Sequence, residues 1–172
     1  MEHSHDEVHI HRVSGSGGHA LSDYYPLVAM VAVVVLFATV SVYFFALTPM
    51  LAFMAWFFLI FGSLKILRLG GFVEAYRMYD LLAMRSIAYA YAYPFLEFGF
   101  GLAYLFSWQL QAVSGVVVVV MLIGALGVYL KLRKREEIPC ACLGTVFKVP
   151  MTWVTLGEDL LMAGMAGLIL IV

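Results

Sequence analysis

The sequence predicts an all-α integral membrane protein with five transmembrane helices and an interfacial amphipathic helix. Hydrophobic residues make up 64% of the 172-residue chain and charged residues 12%, whereas globular proteins contain roughly 45–50% apolar and roughly 25% charged residues. A chain this short cannot bury so much apolar surface in its own interior. In addition, its uncharged stretches are too long for single membrane crossings. These observations exclude a soluble enzyme with a large polar cleft and a nucleic-acid-binding protein.

The first 26 residues form a polar arm before the apolar region. All five histidines of the protein lie in this arm, and the Gly/Ser run at 14–18 is typical of a flexible linker. We therefore divide the chain into a His-rich arm, residues 1–26, and a transmembrane helical domain, residues 27–172.

Residues 24–64 carry no charge. A single helix of that length would measure about 60 Å, twice the roughly 30 Å thickness of the hydrocarbon core. The chain must therefore turn back, and Pro49 marks the turn because proline disfavours a helical conformation in the residue before it. The pattern predicts helices at about 27–47 and 50–67.

The next segment, residues 68–86, mixes charges with aromatic residues. Tyr76 and Tyr79 recur at helical spacing, and Asp80 and Arg85 follow them. This pattern is typical of an amphipathic helix in the membrane interface, where tyrosines commonly serve as anchors.

A second long stretch, residues 86–130, holds one charged residue, Glu97. It must also fold back, and the polar run around Trp108 is the predicted turn. The remaining predicted helices are at about 87–107, 111–131 and 151–172. A polar loop with Cys140 and Cys142 precedes the last helix.

The basic residues predict the orientation. All ten Lys and Arg residues fall on or beside one face of this topology: Arg12, Lys65, Arg68, Arg77, Arg85, Lys131, Arg133, Lys134, Arg135 and Lys148. The positive-inside rule then predicts a cytoplasmic N-terminus and a periplasmic C-terminus in a bacterial inner membrane. Cytosolic thiols are normally reduced, so we expect no permanent disulfide in this chain.

Cys140 and Cys142 are the sharpest chemical feature. In an extended loop both thiols could bind one soft metal ion, since thiolates select Cu(I) or Zn. A disulfide between them would close a strained ring, and strained disulfides exchange readily. The alternative is that both residues only pack at a helix boundary.

The arm offers a second set of soft-metal ligands in His3, His5, His9 and His11. Imidazole suits copper and zinc. Together with Cys140 and Cys142 these residues predict a copper or zinc site, and the alternative is a solvated tail with no ligand.

Acidic residues within predicted helices are the third feature. Glu97 lies about ten residues into its helix, where a carboxylate is costly and marks either a function or a buried partner. A tyrosine hydroxyl is one expected donor to it. Glu158 and Asp159 enter the last helix from the same side as Lys65. We therefore expect an ion pair between Lys65 and one of these two acids, or a role in helix packing.

The order of these features resembles the MauE/DoxX-like family of redox-associated membrane proteins. The resemblance covers roughly 120 residues, and its matching stretches are residues 61–65, 71–79, 93–101, 140–144 and Trp153. It implies a four-helix membrane core, to which this chain adds one N-terminal helix. It also implies an accessory role in thiol redox or in the maturation of a partner protein.

The resemblance carries the family's cysteine motif over to Cys140 and Cys142, its membrane acid to Glu97 and its first-helix lysine to Lys65. Three departures stand out. The N-terminal helix and His-rich arm are extra, Ala141 replaces an expected Gly, and the acidic pair at 158–159 replaces an Arg-Asn-like pair.

Three functions follow as hypotheses. The first is a redox accessory protein that exchanges thiols through Cys140 and Cys142, with Glu97 as a further site residue. The second is copper or zinc handling by the cysteines and the His-rich arm. The third is a non-catalytic subunit of a larger membrane complex or an oligomer. We expect no independent catalytic activity, and we expect the partners to be the lipid bilayer and another membrane or redox protein.

Overall fold

The computed structural model describes residues 25–134 and 153–171. Within these ranges the regular secondary structure is helical throughout. The helices are α1 (Tyr25–Phe45), α2 (Pro49–Leu67), α3 (Leu69–Tyr76), α4 (Ile87–Leu105), α5 (Leu110–Arg133) and α6 (Trp153–Ile171). The five longer helices overlap the five predicted from the hydropathy pattern. The His-rich arm and the loop with Cys140 and Cys142 lie outside the described residues.

Three of the described helices are long and apolar enough to cross a membrane, namely Leu27–Phe45 within α1, Pro49–Leu67 and Leu110–Arg133. The prediction of an all-α membrane protein is therefore confirmed at this level. The fourth and fifth crossings, assigned to α4 and α6, stay predictions. Both of these helices contain acidic residues.

The helix boundaries follow from local sequence. Thr48 caps α2 by accepting a hydrogen bond from the amide of Leu51 at 3.5 Å, and Pro49 occupies the first turn, where its missing N–H costs nothing. Ser86 caps α4 in the same way through the amide of Tyr89, at 3.3 Å. Side-chain capping thus sets the starts of α2 and α4 at Thr48 and Ser86.

The turn before α5 is conformationally strained. Ser107 and Gln109 have φ values of 54° and 48°, and Ala46 in the turn before α2 has a φ of 51°. A left-handed conformation at a residue other than glycine costs about 1–2 kcal/mol. The packing of the flanking helices must therefore hold these turns in place.

The helices pack as two groups, with α2 against α4 and α1, and α5 against α6. Glycine permits the close approach of α2 and α4: a Cβ atom at Gly101 would lie 2.8 Å from the amide nitrogen of Leu59 and 2.9 Å from the carbonyl oxygen of Ala55. Helix α1 is tied to α2 by a hydrogen bond from Trp56 Nε1 to Ser41 Oγ, at 2.6 Å.

The observed structure of the segment between α2 and α4 differs from the predicted interfacial helix over residues 68–86. Helix α3 has only eight residues, and turns occupy most of residues 77–85. Tyr76, Tyr79 and Asp80, predicted to line the interface, are 3%, 6% and 0% exposed. The anchoring prediction is therefore wrong for these residues, because the segment folds into the bundle. Arg85 is exposed, as an interfacial residue would be.

Gly127 explains how the segment enters. A Cβ atom at this position of α5 would overlap the carbonyl oxygen of Tyr79. Only glycine lets the main chain of the turn rest directly on the helix. The turn thereby brings Tyr79 and Asp80 into the interior of the bundle.

Candidate functional site

A polar cavity of about 40 Å³ lies between the α2–α4 pair and the α5–α6 pair, with α3 beside it. Its lining includes one cation and three carboxylates, unusual contents for the interior of a membrane protein. The charged and polar residues that line it are Lys65, Tyr76, Tyr79, Tyr93, Glu97, Thr155, Glu158 and Asp159. They lie near the end of α2, at the end of α3 and in the turn after it, in the middle third of α4 and in the first two turns of α6. The cavity is therefore nearer the end of the bundle where α2 and α5 end.

An ion pair between Lys65 and Glu97 forms the centre of the site. Lys65 Nζ donates hydrogen bonds to Glu97 Oε1 at 2.6 Å and to Oε2 at 2.5 Å. The two residues are 7% and 3% exposed. Desolvation of a buried ion costs several kcal/mol. The attraction between the two partners is of the same order, so a buried ionised group is tolerated only with such a partner.

Two aromatic rings add to the environment of the ammonium group. Lys65 Nζ lies 5.7 Å from the ring centroid of Phe72 and 5.2 Å from that of Tyr93. Both distances are within the range of cation–π attraction. The two rings therefore lie against the ammonium group of Lys65.

The predicted partner of Lys65 is thereby corrected. The sequence pattern pointed to Glu158 or Asp159, and the structure pairs Lys65 with Glu97. The expected tyrosine donor to Glu97 is also replaced by this lysine. The cause is the arrangement of the helices, because α2 packs more extensively against α4 than against any other described helix.

Glu158 and Asp159 lie on the opposite wall of the cavity and are half-buried. Both are within electrostatic range of Lys65. Asp159 reaches toward α5: a Cβ atom at Gly124 would lie 3.5 Å from Asp159 Oδ2, an ordinary van der Waals contact. Two adjacent carboxyl groups therefore share a cavity in which Lys65 is the one described cation.

Asp80 is a buried acidic residue in the segment that follows α3. Its Oδ1 accepts hydrogen bonds from the amides of Leu82 at 3.0 Å and Ala83 at 2.8 Å. Burial raises the pKa of the Asp80 carboxyl, while the amide of Ala83, the Tyr76 hydroxyl and the amide of Leu82 act in the opposite direction. The desolvation effect is larger, so the carboxyl group is harder to ionise than an exposed aspartate.

Three buried polar atoms at or near the cavity lack a hydrogen bond of ordinary length. They are the hydroxyl oxygens of Tyr76 and Tyr89 and Oδ2 of Asp80. Burial also raises the pKa of the Tyr76 phenol well above its usual value, and nearby Tyr93 and Asp80 add to the effect. Tyr76 therefore stays protonated, and its O–H is close enough to the Asp80 carboxyl to lower the pKa of that group, although no hydrogen bond of ordinary length joins them.

Sequence reasoning found part of this site. It singled out Lys65, Glu97, Glu158 and Asp159, which the structure brings to one cavity. It missed the role of Tyr76, because a short helix between two long ones gives no sequence signal of being buried.

The remaining predicted site residues cannot be placed against this cavity. Cys140, Cys142, His3, His5, His9 and His11 lie outside the described residues. Within residues 25–134 and 153–171, no group of three or more His, Cys, Asp or Glu side chains is arranged to hold a metal ion. The copper or zinc prediction therefore stays a prediction from sequence.

Apolar spanning helices around a buried ion pair define the chain as a multi-pass helical membrane protein with a polar cavity inside its bundle. The family model described as methylamine utilisation protein MauE matches residues 42–172, about three quarters of the chain. The chain therefore belongs to this family. The match begins within α1 and includes every residue of the cavity. No curated protein and no solved structure matches the chain.

Proposed function

We propose that this protein is a membrane accessory protein that exchanges thiols with a partner protein through Cys140 and Cys142. The observation that carries the proposal is the extent of the family match. Residues 42–172 include the two cysteines and also the whole polar cavity. The extra N-terminal arm falls outside the match and is not needed for this function.

The topology supports a link between the cysteines and the cavity. They lie in the connection between Arg133, the last residue of α5, and Trp153, the first residue of α6. Thr155, Glu158 and Asp159 line the cavity within the first two turns of α6. The connection therefore starts and ends at the end of the bundle toward which the cavity is displaced.

The exchange balances without a further oxidant or reductant. A thiolate of one cysteine attacks a disulfide of the partner and forms a mixed disulfide, and one partner sulfur leaves as a thiolate. The second cysteine then attacks the mixed disulfide and releases the second partner thiolate. The products are a disulfide in this chain and a dithiol in the partner, and the reverse sequence oxidises the partner.

The distribution of charge supports the orientation predicted from sequence. The described basic residues outside the cavity lie in or beside the segment after α2 and at the end of α5: Arg68, Arg77, Arg85, Lys131, Arg133 and Lys134. The turns at 46–48 and 106–109 contain no Lys or Arg. By the positive-inside rule, the cysteine connection faces the cytoplasm of a bacterial inner membrane.

Trapping of mixed disulfides tests the function. In cells, Cys142→Ser and Cys140→Ser variants should each be examined for a partner attached by a reducible bond. One of the two variants should accumulate such a complex, because the resolving thiol is missing. The Cys140→Ser/Cys142→Ser double variant is the matched control and should trap nothing. Failure of both single variants to trap a partner, with normal protein levels, would refute the proposal.

A further inference from the structure

We infer that the cavity between the two helix pairs is a proton-binding site, in which Glu158 and Asp159 share one proton next to the Lys65–Glu97 pair. The inference goes beyond thiol exchange, since none of its groups is a cysteine. The ligand of this site is a proton bound to a carboxyl group, and the proton exchanges through water.

The count of charges is the first argument. Three carboxyl groups and one ammonium group line the cavity. Glu97 and Lys65 neutralise each other at 2.5–2.6 Å. If Glu158 and Asp159 were both ionised, two further negative charges would remain within the bundle without a second cation among the described lining residues. Two carboxylates that share one site do not both ionise readily, so one proton is retained.

The second argument is an unsatisfied donor. The Tyr76 side chain lines the cavity, is 3% exposed and has a hydroxyl that makes no hydrogen bond of ordinary length with the described residues. A buried O–H group normally has an acceptor, either in the protein or in ordered water. The cavity volume of about 40 Å³ exceeds the roughly 10–15 Å³ needed for one water molecule. Tyr76 is therefore positioned to donate to water inside the cavity.

The groups that face the two acids come from several elements. Helix α2 contributes Lys65 and α4 contributes Glu97 and Tyr93, whereas Tyr76, Tyr79 and Asp80 belong to α3 and the turn that follows it. The residues of α5 that line the cavity, Met121 and Gly124, do not titrate. Lys65 is the only one of these described groups that favours ionised carboxylates by its charge. Its charge is already largely compensated by Glu97.

Infrared spectroscopy of the full chain in lipid nanodiscs tests the inference, because a protonated carboxyl group has its own carbonyl band. At neutral pH the wild-type protein should show this band, with an isotope shift in D₂O, and the band should vanish on alkaline titration. The Glu158→Gln/Asp159→Asn variant should lack it. The Glu74→Gln variant, which alters an exposed carboxylate of α3, should retain it.

Single variants sharpen the test. In Glu158→Gln or Asp159→Asn the remaining acid loses the repulsion of its neighbour and keeps the attraction of Lys65. It should therefore release its proton at lower pH than the wild-type pair does. These near-isosteric single variants also suffice if the double variant does not fold.

Three results would overturn the inference: no carbonyl band in the wild type at neutral pH, an unchanged titration in both single variants, or loss of the band in Asp80→Asn alone. The Cys140→Ser/Cys142→Ser variant separates the two proposals. It should keep the band even though it cannot trap a partner. A trapped partner without a band would refute only the proton site, and a band without a trapped partner would refute only thiol exchange.

Discussion

Replacing Lys65 with Met should lower the free energy of unfolding by about 3–5 kcal/mol, the usual cost of leaving one member of a buried ion pair alone. The surroundings of Glu97 indicate that the full cost applies to this substitution. Glu97 is 3% exposed and accepts both of its hydrogen bonds from the Lys65 ammonium. Removal of the cation leaves the buried Glu97 carboxylate without its partner.

The assay is reversible unfolding in mixed micelles with increasing dodecyl sulfate, followed by circular dichroism. Arg68→Met is the matched control, because Arg68 is an exposed cation at the end of the same helix. It should change the free energy of unfolding by less than about 0.5 kcal/mol. Both variants remove one positive charge, so the difference between their free energies of unfolding measures the effect of burial.

A second substitution completes the cycle. The Lys65→Met/Glu97→Leu double variant should recover most of the lost stability, because replacing both members of a buried pair by apolar groups is often nearly neutral. The reasoning fails if Lys65→Met costs no more than Arg68→Met. It also fails if the double variant is no more stable than the Lys65→Met variant.

Three further predictions concern packing and protonation. Gly101→Ala should destabilise the fold by about 1–3 kcal/mol through overpacking against α2, whereas Gly99→Ala, where a Cβ atom meets nothing within 4 Å, should not; melting in detergent compares the two, and equal losses would contradict the packing argument. Gln109→Gly should stabilise the turn before α5 by up to about 1 kcal/mol, since it removes the cost of a left-handed side-chain residue; a lower melting temperature would contradict this. Burial raises the pKa of the Asp80 carboxyl, so the unfolded chain releases this proton first and the stability should fall as pH rises from the ordinary aspartate pKa to the higher folded one. Asp80→Asn should remove that loss when unfolding is measured across the pH range, and an identical pH profile would argue against it.

The helices were predictable because the hydropathy pattern identifies the long apolar segments that must lie in lipid. Uncharged stretches that are too long for one crossing required turns, and the helix starts at Pro49 and Ile87 fall within a residue of the predicted positions. Composition predicts the helices better than it predicts how many of them cross the membrane. Glu97 in α4 and the two acids of α6 lower the apolar character of these helices.

The site was predictable in its members and not in its pairings. A lysine and three acids within apolar helices are visible in any hydropathy plot. Which of them meet depends on which helices are neighbours, and Lys65 faces Glu97 because small residues draw α2 and α4 together. The burial of Tyr76 and Tyr79 was not predictable, because a helical aromatic stripe looks the same whether it faces lipid headgroups or a protein interior.

The contact at Gly127 has a consequence for how a disturbance would spread. The main-chain oxygen of Tyr79 rests on α5 with no side chain between them, so the contact has no conformational slack. A single methyl group added at Gly127 would push this turn outward, because it would overlap the carbonyl group of Tyr79 and lie 3.3 Å from Cα of Asp80. Residue 127 does not itself line the cavity, yet a substitution there would displace Tyr79 and Asp80 together and so change the interior of the bundle from outside it.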